Sequence, residues 1–489
     1  MANTKIMALF ATTVLTLTAG CAVGPDFSRP AAPKTARYTR EPAPAALPTV
    51  EGQNQRISPA AAIQADWWSL FKSPELDLLI RAALADNPGL QAAQARLTES
   101  EEALHAGYGV FYPRADASAS ATRQRATPLR QGVTAPPTIF SLYTLGSTVS
   151  YALDIFGGQR RAVEGLRAQV DYQQFTTQGA YLALTANVIN TVIACAAYRE
   201  EISSTEEITK LIQGQVHVAQ VQADAGTASF ADVLSFQSQL ASAEAALPEL
   251  RQKLAQSEHL LASLLGKPPA EATPPATALD ELILPQELPL SLPSDLVRQR
   301  PDILMAEAQL HAASAEIGVA TAALFPSFTL TGDFGFNNTA TSALFNRNGK
   351  FWDLGAELDL PLFRGGALWY QRKVALAAYS EAVANYRQAV LSAFAQVADV
   401  LTALQNDAEA VAAQARAVDA AKQAAHILAV NYQAGTASYL QAATATAQYY
   451  QGRLGYIQAR AQRLQDAVAL FTSLGGGWWN SGSAAHQVN

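Results

Sequence analysis

The pentapeptide AGTAS is written twice in this chain, as Ala225–Ser229 and again as Ala434–Ser438. The copies lie 209 positions apart, and their flanks repeat as well. Downstream, Leu265-Gly266 recurs at the same spacing as Leu474-Gly475. Upstream, Asn87-Pro88 corresponds to Arg300-Pro301, and Phe111-Tyr112-Pro113 to Leu324-Phe325-Pro326, both 213 positions apart. Leu153-Asp154 and Gly157-Gly158 match Leu358-Asp359 and Gly365-Gly366 after a short insertion. Several matches in one order mean an internal duplication with about 200 residues per unit.

Each half reads as helix, two strands, long helix, tip, helix. In the first half a helix is expected from about Pro74 to Val110, ended by Pro113. Strands are expected at about 113–126 and 138–155, and in the second half at about 326–338 and 350–363, where apolar and polar residues alternate. Phe328, Leu330, Phe334 and Phe336 alternate with Thr329, Thr331, Asp333 and Asn337; Trp352, Leu354 and Leu358 alternate with Asp353, Glu357 and Asp359. Period-two alternation over about ten residues, with aromatics near the ends, is the pattern of a membrane-spanning strand. The stretch from Gln159 to Ala223 has no proline and predicts a helix about 90 Å long. After each tip comes a heptad-like stripe: Phe236, Leu240, Ala243, Leu247, Leu250, Leu254, Ser257, Leu261 and Leu264, then Tyr450, Leu454, Ile457, Ala461, Leu464, Val468 and Phe471. Superposed at 209, the two stripes are one residue out of phase. AGTAS is then the turn of a helical hairpin. Gly226 and Gly435 suit a left-handed residue after a helix, and Ser229 and Ser438, or Thr227 and Thr436, suit the cap of the next.

The bulk numbers narrow the class. The chain has 489 residues, 15% of them charged, and a net charge of −7, which is no footprint for nucleic acid. Residues 1–20 read as a signal peptide: Lys5 is the positive region, and Ile6 to Thr18 is apolar but too short to span a bilayer. Leu17-Thr18-Ala19-Gly20-Cys21 resembles a bacterial lipobox, with Thr18 standing where Leu is usual. Cys21 would carry diacylglycerol and an N-acyl chain, enough for stable anchoring. Residues 21–59 read as an extended tether rich in Pro and Ala, 60–280 and 281–477 as the two repeats, and 478–489 as a tail. Beyond the signal segment no apolar run is expected to form a transmembrane helix, so strands must cross any membrane. Four strands cannot close a barrel, so the chain must oligomerise. Cys195 is expected as a small packed residue.

Val23-Gly24-Pro25-Asp26-Phe27 with Arg29-Pro30, Asp66–Ile80 (DWWSLFKSPELDLLI) and the stretch from Leu292 to Gly332 resemble the TolC-like outer-membrane factors of tripartite efflux pumps, in the NodT-type lipoprotein branch. The resemblance covers nearly the whole mature chain. It implies an α+β membrane protein: a homotrimer whose twelve-stranded barrel, four strands per chain, sits in the outer membrane and continues into a periplasmic coiled-coil tunnel. It also implies an equatorial layer near residues 57–74, 266–293 and 476–489, a periplasmic adaptor and an inner-membrane pump as partners, and passive export. The hairpin tips, with Gly226, Thr227, Ser229, Gly435, Thr436 and Ser438, would meet the adaptor and form the closed entrance. Tyr432 matches the family's gate tyrosine, and Asp232 follows the first tip. Gln441 and Thr444 replace acids after the second tip, and Ala437 stands where some relatives are basic. The implied closure rests on hydrogen bonds and packing of Tyr432, Tyr439 and Gln441, with Asp232 supplying charge. Asp333, Asp353, Glu357 and Asp359 would face the lumen and favour cations.

Enzyme chemistry has no support in the sequence. The six histidines are scattered without a His-Glu-x-x-His pair, and there is no nucleophile elbow, phosphate loop or sign of a cofactor. Gly475-Gly476-Gly477 precedes Trp478-Trp479 and reads as a helix stop. The alternative is a periplasmic coiled-coil lipoprotein adaptor without its own pore, which leaves the duplicated hairpin and the four strands unexplained.

Overall fold

In the computed structural model the two copies of the hairpin are equal in length. The first joins α3 (Gly158–Asp224) to α4 (Phe230–Leu264), and the second joins α7 (Ala367–Gln433) to α8 (Tyr439–Ser473). Both have arms of 67 and 35 residues, and all four helix ends map onto their copies at 209. The remaining elements are β1 (Arg56–Pro59), α1 (Pro74–Asp86), α2 (Pro88–Gly107), β2 (Arg114–Ala126), β3 (Thr138–Leu153), β4 (Glu287–Leu290), α5 (Pro293–Gln299), α6 (Pro301–Ala322), β5 (Ser327–Asn338) and β6 (Lys350–Asp359), with short 3-10 turns between them. The structure describes residues 22–41, 55–59, 63–127, 132, 134 and 136–480. Cys21, the signal segment at 1–20 and the tail from 481 lie outside them.

The helix expected from Pro74 to Val110 is instead two helices. Pro88 has no N–H to continue α1, and Asn87 turns extended (ψ 118°). The Asn87 side chain caps the next helix by accepting from Leu90 N at 3.0 Å. The strands fall within four residues of the expected ends. One stretch of α3 is as apolar as a membrane span, with mean hydropathy 1.6, against the expectation that none existed; 61% of it is buried among the protein's own helices.

The chain divides into two compact units. The first, residues 22–30, 97–173 and 306–386, holds an antiparallel sheet in the order β2-β3-β5-β6. Among the described residues, its outer strands, β2 and β6, each have one unpaired edge. Residues 22–30 are extended, as a tether would be, but held down. Val23 N donates to Phe156 O at 3.0 Å, Arg161 pairs with Asp26 at 2.5 Å, Phe27 stacks on His311 with ring centroids 4.3 Å apart, and Arg29 pairs with Glu307 at 2.5 Å.

The second unit, residues 31–96, 174–305 and 387–480, holds the hairpin tips and a core on Trp67, Phe71, Leu76, Ile80 and Phe471. Trp67 stacks on Phe471 with ring centroids 5.0 Å apart. Here β1 pairs in parallel with β4, so the end of the expected tether is a strand. The stripe on α4 is buried at Phe236, Ala243, Leu250 and Leu261. On α8 burial covers neighbouring pairs, Ala442 with Ala443, Ala467 with Val468 and Leu470 with Phe471. That helix lies between α3, reached by Arg453–Glu200 at 3.0 Å, and α7, where Gly452 faces Val418. The phase difference follows from this. Val233, Phe236 and Leu261 on α4 correspond at 209 to Ala442, Ala445 and Leu470 on α8, all buried, and α8 adds a second contact face.

Candidate functional site at the hairpin tips and the polar sheet face

The two tips are built alike. Gly226 has φ 71° and Gly435 φ 75°, the left-handed conformation that ends a helix without a Cβ clash. Thr227 N and Thr436 N donate five residues back to Gln222 O at 2.9 Å and Asn431 O at 2.8 Å, and each threonine hydroxyl donates to the same carbonyl at 3.0 Å. The threonines therefore close the helix behind them, and the serines open the one ahead. Ser229 Oγ accepts from Ala231 N at 3.1 Å. Ser438 Oγ accepts from Gln441 N at 3.4 Å, while Gln441 Oε1 accepts from Ser438 N at 2.8 Å, completing a capping box.

The Gln441 side chain thus bonds the start of its own helix. Tyr432 is 4% exposed and packed with Phe236, Val233, Ala219 and Ala442, so all four hairpin helices meet around it. The Phe236 ring lies edge-on to both Tyr432 at 5.6 Å and Tyr439 at 4.4 Å. Tyr432 and Tyr439 both pack in this cluster, whereas Gln441 does not join it, and Tyr432 Oη is buried without a partner. Burial first, then the charges of Asp232 and Tyr439, push the Tyr432 phenol above its ordinary value. Sequence reading did not assign Phe236 or Gln222 to this site. Phe236 stands first in the α4 stripe, seven residues after Ser229, which was the available signal. Gln222, whose Nε2 donates to Tyr432 O at 3.1 Å, left none.

In the first unit the sheet register separates two faces. Side chains opposite one another in a ladder share a face. Asp116 is opposite Thr148, Thr148 opposite Asp333, and Asp333 opposite Asp353, so one polar row crosses all four strands. Glu357, opposite Thr329, and Asp359, opposite Ser327, share this face. The four acids are therefore brought to one side, and register adds Asp116 to them. Thr148 donates a short hydrogen bond to Asp333, which offsets part of the repulsion between facing carboxylates. The other face carries Val149, Leu330, Phe334, Trp352, Leu354 and Leu358, all exposed, Trp352 by 68% and Leu354 by 76%. An apolar face this bare is a surface for lipid rather than water.

Known proteins agree with this geometry. A family model described as outer membrane efflux protein matches residues 79–267 and 292–476, one match per repeat. Pyoverdine export outer membrane protein OpmQ of Pseudomonas aeruginosa is 31% identical over 429 residues, which is 84% of this chain and 87% of that one. The probable efflux pump outer membrane protein TtgC of Pseudomonas putida is 30% identical over 492 residues, covering 99% of this chain and 98% of its own. The solved outer-membrane channel OprN superposes with a TM-score of 0.84 at 27% identity, covering 94% of this chain and all of that one. The adaptor alternative finds no support among these relatives. With paired hairpins, a two-faced sheet and a family match in both halves, this chain belongs to the outer membrane efflux protein family and is an outer-membrane efflux channel.

Proposed function

We propose that three copies of this chain close their sheets edge to edge into a twelve-stranded barrel, with the acidic row inside and the apolar face toward lipid. The observation that carries this reading is a four-stranded sheet with one apolar and one acidic face and, among the described residues, two unpaired edges, in a chain with two equal hairpins. The helices continue the conduit through the periplasm. The tips meet a periplasmic adaptor, and cargo delivered by an inner-membrane pump passes through without chemistry.

The resting closure is held by packing rather than by charge. Phe236, Tyr432 and Tyr439 lock together the four helices of the two tips, and Asp232 is the nearby acceptor that Tyr432 Oη meets when the tips rearrange. Acylated Cys21 supplements the barrel as an anchor. In support, Ala22 is packed on Gly157 at the joint of β3 and α3. The direct test is single-particle imaging of the detergent-solubilised protein from membranes. A hollow three-fold particle with a detergent belt is expected; a monomer, or a ring with no belted barrel, would overturn the reading.

A further inference from the structure

Charge on the sheet is divided along the strands. The sequence from Asp116 to Asp154 contains Arg123, Arg125 and Arg130 and no intervening acid; that from Asp333 to Asp353 contains Arg347 and Lys350 and again none. Both segments include the strand ends remote from the helices. Of these bases, Arg123 and Arg125 fall in β2, and Lys350 opens β6.

Register places those three on the apolar face. Arg123 and Arg125 share the phase of Ala115, Ala117, Ala119 and Ala121, opposite that of Asp116. Lys350 shares the phase of Trp352 and Leu354, opposite that of Asp353. Aromatic rings flank the position: Lys350 Nζ lies 5.2 Å above the Phe334 ring, Phe334 packs on Phe336 at 5.7 Å, and Phe336 on Phe345 at 5.6 Å. Cations among outward-facing apolar and aromatic side chains belong at the boundary of hydrocarbon and headgroups, where they gain only if an anion meets them. They also stand on the two outer strands, so edge-to-edge closure brings Lys350 of one copy beside the β2 strand of the next.

We propose that Arg123, Arg125 and Lys350 form a binding surface for phosphorylated lipid headgroups at the membrane face remote from the helices, assembled across neighbouring copies. This rests on the closed-barrel reading above. Guanidinium groups suit phosphate because their planar N–H donors match its oxygens in pairs.

The test is native mass spectrometry of the full-length protein in mild detergent, titrated with bisphosphorylated lipid A and with phosphate-free lipid A. Wild type is expected to retain the phosphorylated lipid, and the Arg123→Ser, Arg125→Ser, Lys350→Ser triple variant to bind it about tenfold or more weakly, since each base contributes a factor of several at an anionic lipid surface. Equal binding by the triple variant, equal binding of phosphate-free lipid, or displacement by inorganic phosphate would each overturn the proposal. Planar-bilayer conductance of both proteins keeps the two readings apart. A wild type that forms no pore sinks the barrel and this surface together, whereas conducting pores with equal lipid affinity sink only the surface. Should the triple variant not assemble, the single Lys350→Ser and Arg123→Ser variants are read in the same way, and an unchanged affinity in both counts against the proposal.

Discussion

Phe236 of α4 and Tyr432 of α7 meet edge to face, 5.6 Å between ring centroids, although 196 residues separate them in sequence. The contact ties the first hairpin to the second where both turn. Phe236 is fully buried, so Phe236→Ala should cost about 3 kcal/mol locally and raise single-channel conductance. Tyr432→Phe removes a buried hydroxyl that has no partner, and should leave the tip closed and as stable or about 1 kcal/mol more stable. Conductance in planar bilayers, with hydrogen exchange at the tips, reads both. If neither Asp232→Ala nor Tyr432→Ala raises conductance above wild type, these residues are not the gate.

The two caps should differ in strength. Ser438 takes part in a reciprocal box with Gln441, whereas Ser229 makes a single bond. Replacement of Ser438 by Ala should cost about 1 kcal/mol and loosen the first turn of α8; the same change at Ser229 should cost less. Amide exchange in the first turns of α8 and α4 compares them, and equal losses would contradict the distinction.

A pH effect is expected from a pair of carboxyls in the second unit. Asp407 of α7 is pushed up to about 7, chiefly by burial, then by the neighbouring Asp466 carboxyl of α8, with Arg463 opposing. Arg463, 2% exposed, gives two hydrogen bonds to Gln55 at 2.9 and 3.2 Å, and Gln462 donates to Asp466 at 3.0 Å. The folded state therefore holds a proton that the unfolded chain releases near the ordinary value of 3.8. That stabilisation is complete below the unfolded value and is lost as pH rises toward about 7. Discounted for the partial exposure of the site, the loss should be about 1–2 kcal/mol. Melting temperature should fall over this interval in wild type and stay flatter in Asp407→Asn. A parallel decline in both would remove the pair as its cause.

Cys195 is buried in α3, and burial pushes its thiol up to about 11. Maleimide should label it only after unfolding, and rapid labelling of the native protein at neutral pH would contradict the packing of α3.

The facing acids Asp333 and Asp353 should make the pore prefer cations. Reversal potentials under a salt gradient are expected to move toward zero in Asp333→Asn with Asp353→Asn, and an anion preference in wild type would exclude the assignment.

Local signals carried much of the architecture. AGTAS located both turns because a left-handed glycine and a serine cap are requirements within a few residues, and alternation located four strands because each pleat repeats its demand every second residue. What depended on distant partners was not readable. The break at Pro88 could be suspected, yet only the Asn87 cap explains how the chain resumes. Gln441 is half of a capping box with Ser438, a role that resemblance to a gate position did not signal. Tyr432 was matched by resemblance, but its enclosure by Phe236 depends on how four helices converge. The Gln55–Arg463 contact joins residues 408 positions apart, and no periodicity announces it.

Equal hairpins impose a rule on how such a sequence can change. Deleting one residue from a single arm would raise that tip by about 1.5 Å and turn every later side chain by about 100°. Losing seven would restore the facing but leave one tip about 10 Å short of the other. Arms of 67 and 35 residues in both halves therefore act as two rulers cut to one length, and insertions or deletions should survive only when both rulers are recut together.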